Sequence, residues 1–427
     1  MQTRICKASG KEFLIFDRDI EYYRKLSGLF PYLPEITLPT LCPEERTRRR
    51  FSFRNERRLF YRTCGLTGRR IVSNYSPESP YTIYSQEAWW SDEWNPFKYG
   101  RDIDFSRPFF EQFNELNKIV PQISLNVVKS ERCEFNSYIG ECKNCYQVAG
   151  SVYCEDCYYG SPYYSKDCVD SLLIRDCTLC YECVACDRCY GCNFCQDCVG
   201  SNDLYFCYDL KACRNCIGCA GLRNVEYHIF NKKYSKENYE KWKRENLDME
   251  NPEKVNKILE ELKRLKLEIP HQYAICEKTE NVTGNYIYES KNTHYAFDVK
   301  KCEDCSYVAQ VVDMKDCYDN NYVEENEACY EYMGSYRNNR VLFSLMCCTT
   351  SDSLYSAYCI SSSNLFGCVS VRHKQYCILN KQYDRDSYFT TVRRLADHMR
   401  ETGEWGEFFP MSISPFPYEH TVAKDYF

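Results

Sequence analysis

The sequence predicts a mainly β protein: a tandem duplicated β-solenoid with helical caps and a helical insert, preceded by an N-terminal α+β region of different character. Three observations predict it. Cysteine and tyrosine are heavily used, 31 and 39 in 427 residues. A long segment recurs at one nearly constant offset. Within each copy, cysteine returns at short intervals behind turn-forming residues.

Composition sets the bounds. Charged residues are 27% and hydrophobic residues 44%, which is globular rather than disordered. A net charge of −6 argues against a protein that coats nucleic acid with its whole surface. The N-terminus, MQTRICKASGKEF, has no apolar h-region, and no stretch approaches a membrane-spanning helix. No membrane association is therefore expected, and a cytoplasmic location would keep the thiols reduced. The cysteine count is odd, so even full oxidation would leave one thiol unpaired within the monomer.

The duplication is read by self-comparison. Gly218–Tyr234 recurs as Gly367–Tyr383, with Cys219 matching Cys368 at an offset of 149. Cys180-Tyr181-Glu182 matches Cys329-Tyr330-Glu331, and Lys166-Asp167-Cys168 matches Lys315-Asp316-Cys317, both also at 149. Upstream, Cys154-Glu155-Asp156-Cys157 matches Cys302-Glu303-Asp304-Cys305 at 148. The copies are assigned to residues 121–234 and 271–383. Inside them, Asp or Asn followed by Cys returns at short, near-regular intervals, as at Asn144-Cys145, Asp156-Cys157 and Asp167-Cys168. Cysteines 180, 198 and 216 lie 18 apart. Short repeats with Asp, Asn, Gly and Ser turns indicate stacked β-coils, predicted at roughly 18 to 24 residues each. Cys and apolar residues should face inward and a share of the Tyr outward.

Residues 235–270 read as a helical insert. Ser235 is an N-cap for a helix through Tyr239 and Trp242. Asn251-Pro252 opens a second helix, striped by Val255, Ile258, Leu259, Leu262 and Leu265, and Pro270 ends it. Residues 384–427 hold a matching helix, Asp386 to Glu401, and an aromatic tail with Trp405, Phe408 and Phe409. These helices are expected to cap open coil ends, whose strand edges would otherwise be unpaired.

The first copy carries Cys177, Cys180, Cys183, Cys186, Cys189, Cys192, Cys195 and Cys198, one every third residue. Repeated C-x2-C prompts zinc or an iron–sulfur cluster. Adding 149 to the inner positions gives Tyr332, Ser335, Asn338, Val341 and Ser344, so coil geometry alone does not require thiols. Two readings stand: interchangeable small fillers with no cofactor, or a specialised metal site. Cysteines three apart on a coil are expected to point in different directions, so the whole run should not converge on one metal.

Residues 1–120 differ. Cys6-Lys7-Ala8-Ser9-Gly10 and Cys42-Pro43-Glu44-Glu45-Arg46 form one knuckle pair, framed by Phe13, Tyr22, Tyr23, Pro39 and Leu41. Cys64-Gly65-Leu66-Thr67-Gly68 and Ser85-Gln86-Glu87-Ala88 form a second. These units resemble a pair of bacterial zinc ribbons in degenerate form. The resemblance implies four knuckle ligands in each, but only Cys6, Cys42 and Cys64 remain, and structural zinc needs four. Metal-free ribbons are expected. Between the units, Arg48, Arg49, Arg50, Arg54, Arg57 and Arg58 are interleaved with Phe51 and Phe53. Arginine with aromatics can pair phosphates and stack bases, which makes these six candidate RNA contacts. The alternative is an arginine face neutralised by Asp92, Glu93, Asp102 and Asp104. Ser106-Arg107-Pro108 then opens a helix whose Phe109, Phe113 and Leu116 are expected to dock under the first coil.

Phe53-Arg54-Asn55-Glu56-Arg57, Trp89-Trp90-Ser91-Asp92, Tyr99-Gly100-Arg101-Asp102 and Phe105-Ser106-Arg107-Pro108-Phe109-Phe110 together resemble an uncharacterised family of cysteine-rich bacterial proteins. Such proteins are similar in having a ribbon pair followed by a Cys/Tyr repeat region. The resemblance covers nearly the whole chain and implies no established activity. No GxGxxG, P-loop or GxSxG is present, and the six histidines form no triad spacing. The expected function is therefore a non-catalytic binding or scaffold protein whose coil faces hold another protein or a structured RNA. The alternative is a thiol-based zinc or iron–sulfur protein using the cysteine run.

Overall fold

The computed structural model describes residues 1–315, 317–318, 321–326, 329–331 and 342–427. The chain divides into two compact units: Met1–Ser124 with Ala274–Phe427, and Leu125–Tyr273.

The first unit opens with two antiparallel hairpins of one design. Gln2–Ile5 pairs with Glu12–Ile15, and Phe60–Thr63 with Arg70–Ser73. Each turn starts at a cysteine. Cys6 N–H donates to Lys11 O and Gly10 N–H to Cys6 O, both at 2.9 Å; Cys64 and Gly68 repeat this at 2.8 and 2.9 Å. Helix α1 (Asp17–Gly28) follows the first hairpin, and α2 (Pro43–Phe51) begins on the proline after Cys42. Short α3 (Gln86–Trp90) and α4 (Phe109–Ile119) complete this part.

The second unit is dominated by short parallel strands. Where they stack, successive bridges are 12 apart in sequence, as in Thr178↔Tyr190↔Asn202 and Tyr181↔Asn193↔Tyr205. The local rule has a period of three. Tyr181 N–H donates forward to Cys192 O at 3.0 Å, Glu182 N–H donates back to Val169 O at 3.2 Å, and Cys183 faces inward. The middle residue of each triplet is left-handed: φ is 55° at Leu179, 52° at Glu182, 53° at Ala185 and 51° at Arg188. Asn and Asp tolerate that conformation best. This is why they precede cysteine in the sequence: Asn144, Asp156, Asp167 and Asp197 all have positive φ. Four triplets make one full turn.

The expected mainly β solenoid with its longer coils is thereby corrected. The protein is mixed α/β. Among the described residues it has eight α-helices and many short strands in small parallel and mixed sheets of two to five strands. The stacking step is 12. Two turns are a residue short, Glu155 pairing with Lys166 and Glu280 with Lys291, and in the first the register slips between Ser161 and Pro162. That slip accounts for the sequence offset changing from 148 before it to 149 after it.

Helices α5 (Lys236–Asn246) and α6 (Pro252–Glu268) belong to this second unit. The side chains of Ser235 and Asn251 cap them, accepting from Asn238 N–H at 3.3 Å and Glu253 N–H at 3.0 Å. Ile258, Leu262 and Leu265 are buried against Phe206, Ile217, Ala220 and Ile229 of the ladder. Leu259 is exposed and leaves the expected stripe. Rather than only closing an end, α6 lies along a side: Lys266 reaches Gln196 at 3.5 Å and sits 3.9 Å over the Tyr208 ring.

The remainder of the first unit repeats the end of that ladder. Ser351–Leu354, Ser363–Phe366 and Gln375–Ile378 are parallel, and Lys381–Gln382 turns back antiparallel. Asn202–Tyr205, Arg214–Ile217, Glu226–Ile229 and Lys232–Lys233 have the same order and pairing. Asn380 bonds Val369 N–H and O at 2.8 and 2.9 Å, as its first-copy counterpart Asn231 bonds those of Ala220, both at 2.9 Å. Helix α7 (Arg385–Glu401) is capped by Asp384, and α8 (Val422–Tyr426) ends the chain. The core here joins α1, α4, α7 and the aromatic tail to Tyr355 and Phe366. Phe109 of α4 stacks edge-on to both rings, at 5.5 and 5.3 Å. The expected docking of α4 under the first coil is corrected: its partner is the second copy.

Candidate functional site

All eight thiols of the cysteine run point inward, none more than 2% exposed. The expectation that they point in different directions is corrected by the left-handed residue in every triplet, which returns the third side chain to the interior. Each S–H faces main-chain carbonyls. Cys183 Sγ lies 3.5 Å from Tyr181 O and 3.3 Å from Cys192 O; Cys189 Sγ lies 3.5 Å from Asp187 O and 3.4 Å from Cys198 O. Ser344 in the second copy does the same, 3.3 Å from Leu342 O and 2.9 Å from Ser353 O. The counterparts Tyr332, Ser335, Asn338 and Val341 lie outside the described residues. A thiolate in the run would face carbonyl oxygens and lose the protons that make these bonds. The donor set therefore does not fit zinc or an iron–sulfur cluster, and no group of three or more Cys, His, Asp or Glu with metal geometry occurs among the described residues. Cys183→Ser should preserve the donor and stay within about 1 kcal/mol of wild type, whereas Cys183→Val, which loses it and adds volume, should cost about 1–3 kcal/mol in urea unfolding.

The ribbon cysteines are separate buried turns. Cys6 and Cys42 share one small core, with Ser9 Oγ 4.0 Å from Cys42 Sγ. Glu45, the fourth knuckle position, is engaged by Arg48 at 2.6 Å. Cys64 accepts from Ser85 N–H at 3.3 Å. Burial raises the Cys64 pKa, but the Thr67 hydroxyl and the backbone N–H groups of Ser85, Thr67 and Leu66 outweigh it and bring it down to about 7.

The arginine stretch folds largely inward. Arg49, Arg50 and Arg54 are buried. Arg49 Nη2 donates to both Glu331 oxygens at 2.6 Å, and its Nη1 to Glu407 at 2.8 Å. Arg50 lies 4.0 Å from Glu331, and Arg54 pairs with Glu56. Glu407 also accepts from Thr40 N–H and hydroxyl at 2.9 and 2.7 Å. Beside this cluster opens a cleft of about 630 Å³, lined by Lys7, Thr40, Arg49, Asn114, Glu407 and Phe408. Arg57 and Arg58 are exposed, and Arg48 is half-buried against Glu45. The six arginines do not form one outward face.

The outward side chains of residues 146–190 are the feature that cysteine counting left unread. Tyr159 and Tyr181 on one side of the ladder and Leu172 and Val184 on the adjoining side are each more than a third exposed, whereas the exposed Tyr164 and Tyr190 lie on the other two sides. Leu172 pairs directly with Val184 across one step. Tyr181 begins an aromatic row, edge-on to Phe194 at 5.2 Å, with Phe194 stacked on Phe206 at 4.8 Å. Phe206 is fully covered by the α5–α6 layer. The signal was available: if every third residue is inward, the two between face out.

No helix among the described residues is long and apolar enough to cross a membrane. No family model matches the chain, and no curated protein matches it. Among solved structures, one match is a "putative acetyltransferase" of Desulfovibrio desulfuricans G20. It is 10% identical, covers 62% of this chain and 81% of that one, and has a TM-score of 0.13.

Proposed function

We propose that the chain is a non-catalytic binding protein that holds another protein on the two adjoining sides that carry Tyr159, Tyr181, Leu172 and Val184. The observation that supports this is the run of large apolar and aromatic side chains left in water on successive turns. Isolated exposed apolar residues are ordinary, but contiguous ones mark interaction surfaces. Tyrosine suits such a surface, since its ring buries area while its hydroxyl stays hydrogen-bonded. The thiols beneath act as the small donors that let the turns stack.

Photo-cross-linking tests the reading. Benzoyl-phenylalanine replaces Leu172, Tyr159 or Val184 in the full chain, which is irradiated in native lysate with and without nuclease. The expected result is a discrete protein adduct that survives nuclease from at least one position. Adducts that vanish with nuclease, or none at any position, would sink it.

A further inference from the structure

The duplication supplies an internal comparison for the exposed end of the aromatic row. Tyr181 and Glu182 correspond, at the offset of 149, to Tyr330 and Glu331. The correspondence is geometric as well. Tyr181 bridges to Asn193 and Tyr330 to Leu342, again 149 apart. Tyr181 is edge-on to Phe194 at 5.2 Å, and Tyr330 to Phe343 at 5.1 Å. Phe194 stacks on Phe206 at 4.8 Å and 11°, and Phe343 on Tyr355 at 4.8 Å and 13°.

The two sites differ in what covers them. In the second copy, Tyr330 is fully buried under α1, whose Tyr23 meets it edge-on at 4.8 Å. Glu331 is fully buried and held by Arg49 of α2 at 2.6 Å, with Arg50 at 4.0 Å. In the first copy, Phe194 and Phe206 pack with the α5–α6 layer, but Tyr181 is 38% exposed. Glu182 is also exposed and makes no ion pair among the described residues. The first copy thus presents the same aromatic ring and carboxylate, on the same backbone, without the helix that covers them in the second.

From this we infer that Tyr181 and Glu182 form a docking site for an arginine-bearing amphipathic helix of a partner protein. The inference rests on the protein-binding reading above and names the partner's chemistry. A helix is implied because helices cover the equivalent row and the adjoining one. Arginine is implied because Glu331 shows its counterpart carboxylate taking a guanidinium, whose weaker hydration suits an interface ion pair better than a lysine ammonium. Leu172 and Val184, beside Tyr181, supply apolar area for the helix's stripe.

The test uses the full chain and a stapled helical peptide of about 16 residues, long enough to hold a helix when stapled. It carries arginines at the spacing of Arg46, Arg49 and Arg50 beside a leucine stripe. The expected result is saturable binding by fluorescence anisotropy. Glu182→Gln and Tyr181→Ala should each weaken it by ~10-fold or more, and arginine-to-lysine replacement in the peptide should do likewise. Tyr164→Ala should leave it unchanged. Glu182→Gln is isosteric and exposed, so it keeps the test intact should Tyr181→Ala fold poorly. Binding indifferent to Glu182→Gln, or equal binding by a citrulline peptide, would overturn the inference, as would dimerisation through this face that the peptide cannot displace. Protein adducts at Leu172 that persist undiminished in Glu182→Gln would overturn it while leaving the binding reading standing. Absence of any adduct from the wild-type chain would fell both.

Discussion

Arg49→Met is expected to lower the unfolding free energy by about 3–5 kcal/mol, the usual consequence of removing one partner from a buried ion pair. The substitution strands two carboxylates. Glu331 is fully buried, Glu407 is 14% exposed at its side chain, and Arg49 bonds both. Burial alone would raise the Glu407 pKa, but Arg49 and the Thr40 hydroxyl and N–H draw it below the usual glutamate value. Its contribution is therefore complete above the ordinary glutamate pKa of about 4.3 and is lost as pH falls through the depressed one. Urea unfolding of wild type should weaken over that acid interval, and Arg49→Met should show a shallower loss. Adding Glu331→Gln to Arg49→Met should recover part of the deficit, since a stranded charge costs more than a neutral amide. By contrast, Arg57→Ala and Arg58→Ala, at exposed positions, should stay within about 0.5 kcal/mol. Equal effects at Arg49 and Arg57 in denaturant titrations would refute a structural role for the buried cluster.

The same residues show what a sequence can and cannot disclose. The caps at Ser235 and Asn251 and the helix before Glu401 were legible because their determinants lie within a few residues. The arginine stretch was not. Arg49 finds Glu331 and Glu407 far along the chain, at separations of 282 and 358, and nothing local marks an arginine that will be desolvated. The turn length failed for another reason. Inward positions recur every third residue, so cysteines 18 apart share an orientation without sharing a column. The true step is carried by main-chain bonds such as Tyr181 N–H to Cys192 O, and its inward positions accept Cys, Ser and Leu alike. The pairing Cys180, Cys192, Leu204, Cys216 is one such column, and its lone leucine hides it from a search for cysteine. The exposed row at Leu172, Tyr181 and Val184 was missed in turn, because seeing it requires the period of three first.

The short turn carries the second large expectation. Between Glu155 and Lys166 the ladder step is 11 instead of 12, and the backbone must close the same circuit with one residue fewer. Gly160 absorbs the difference, with φ at 129° and its α-carbon close to the next strand: a Cβ there would stand 2.1 Å from Ser171 O. That conformation is reserved for glycine, unlike the left-handed triplet positions, where Glu182 and Arg188 sit without difficulty. The other short step, Glu280 to Lys291, contains Gly284 with φ at 138° and the equivalent clash at 1.8 Å from Ala296 O. Gly160→Ala should therefore cost about 3 kcal/mol or more, combining backbone strain with a main-chain collision that no rotamer can relieve. Ala at Gly200, which is left-handed but has open space, should cost only about 1 kcal/mol. Inserting one residue after Gly160 should rescue Gly160→Ala by restoring the regular step, with thermal unfolding as the readout. A Gly160→Ala protein as stable as Gly200→Ala would show that the short turn is not held by close backbone approach at this glycine.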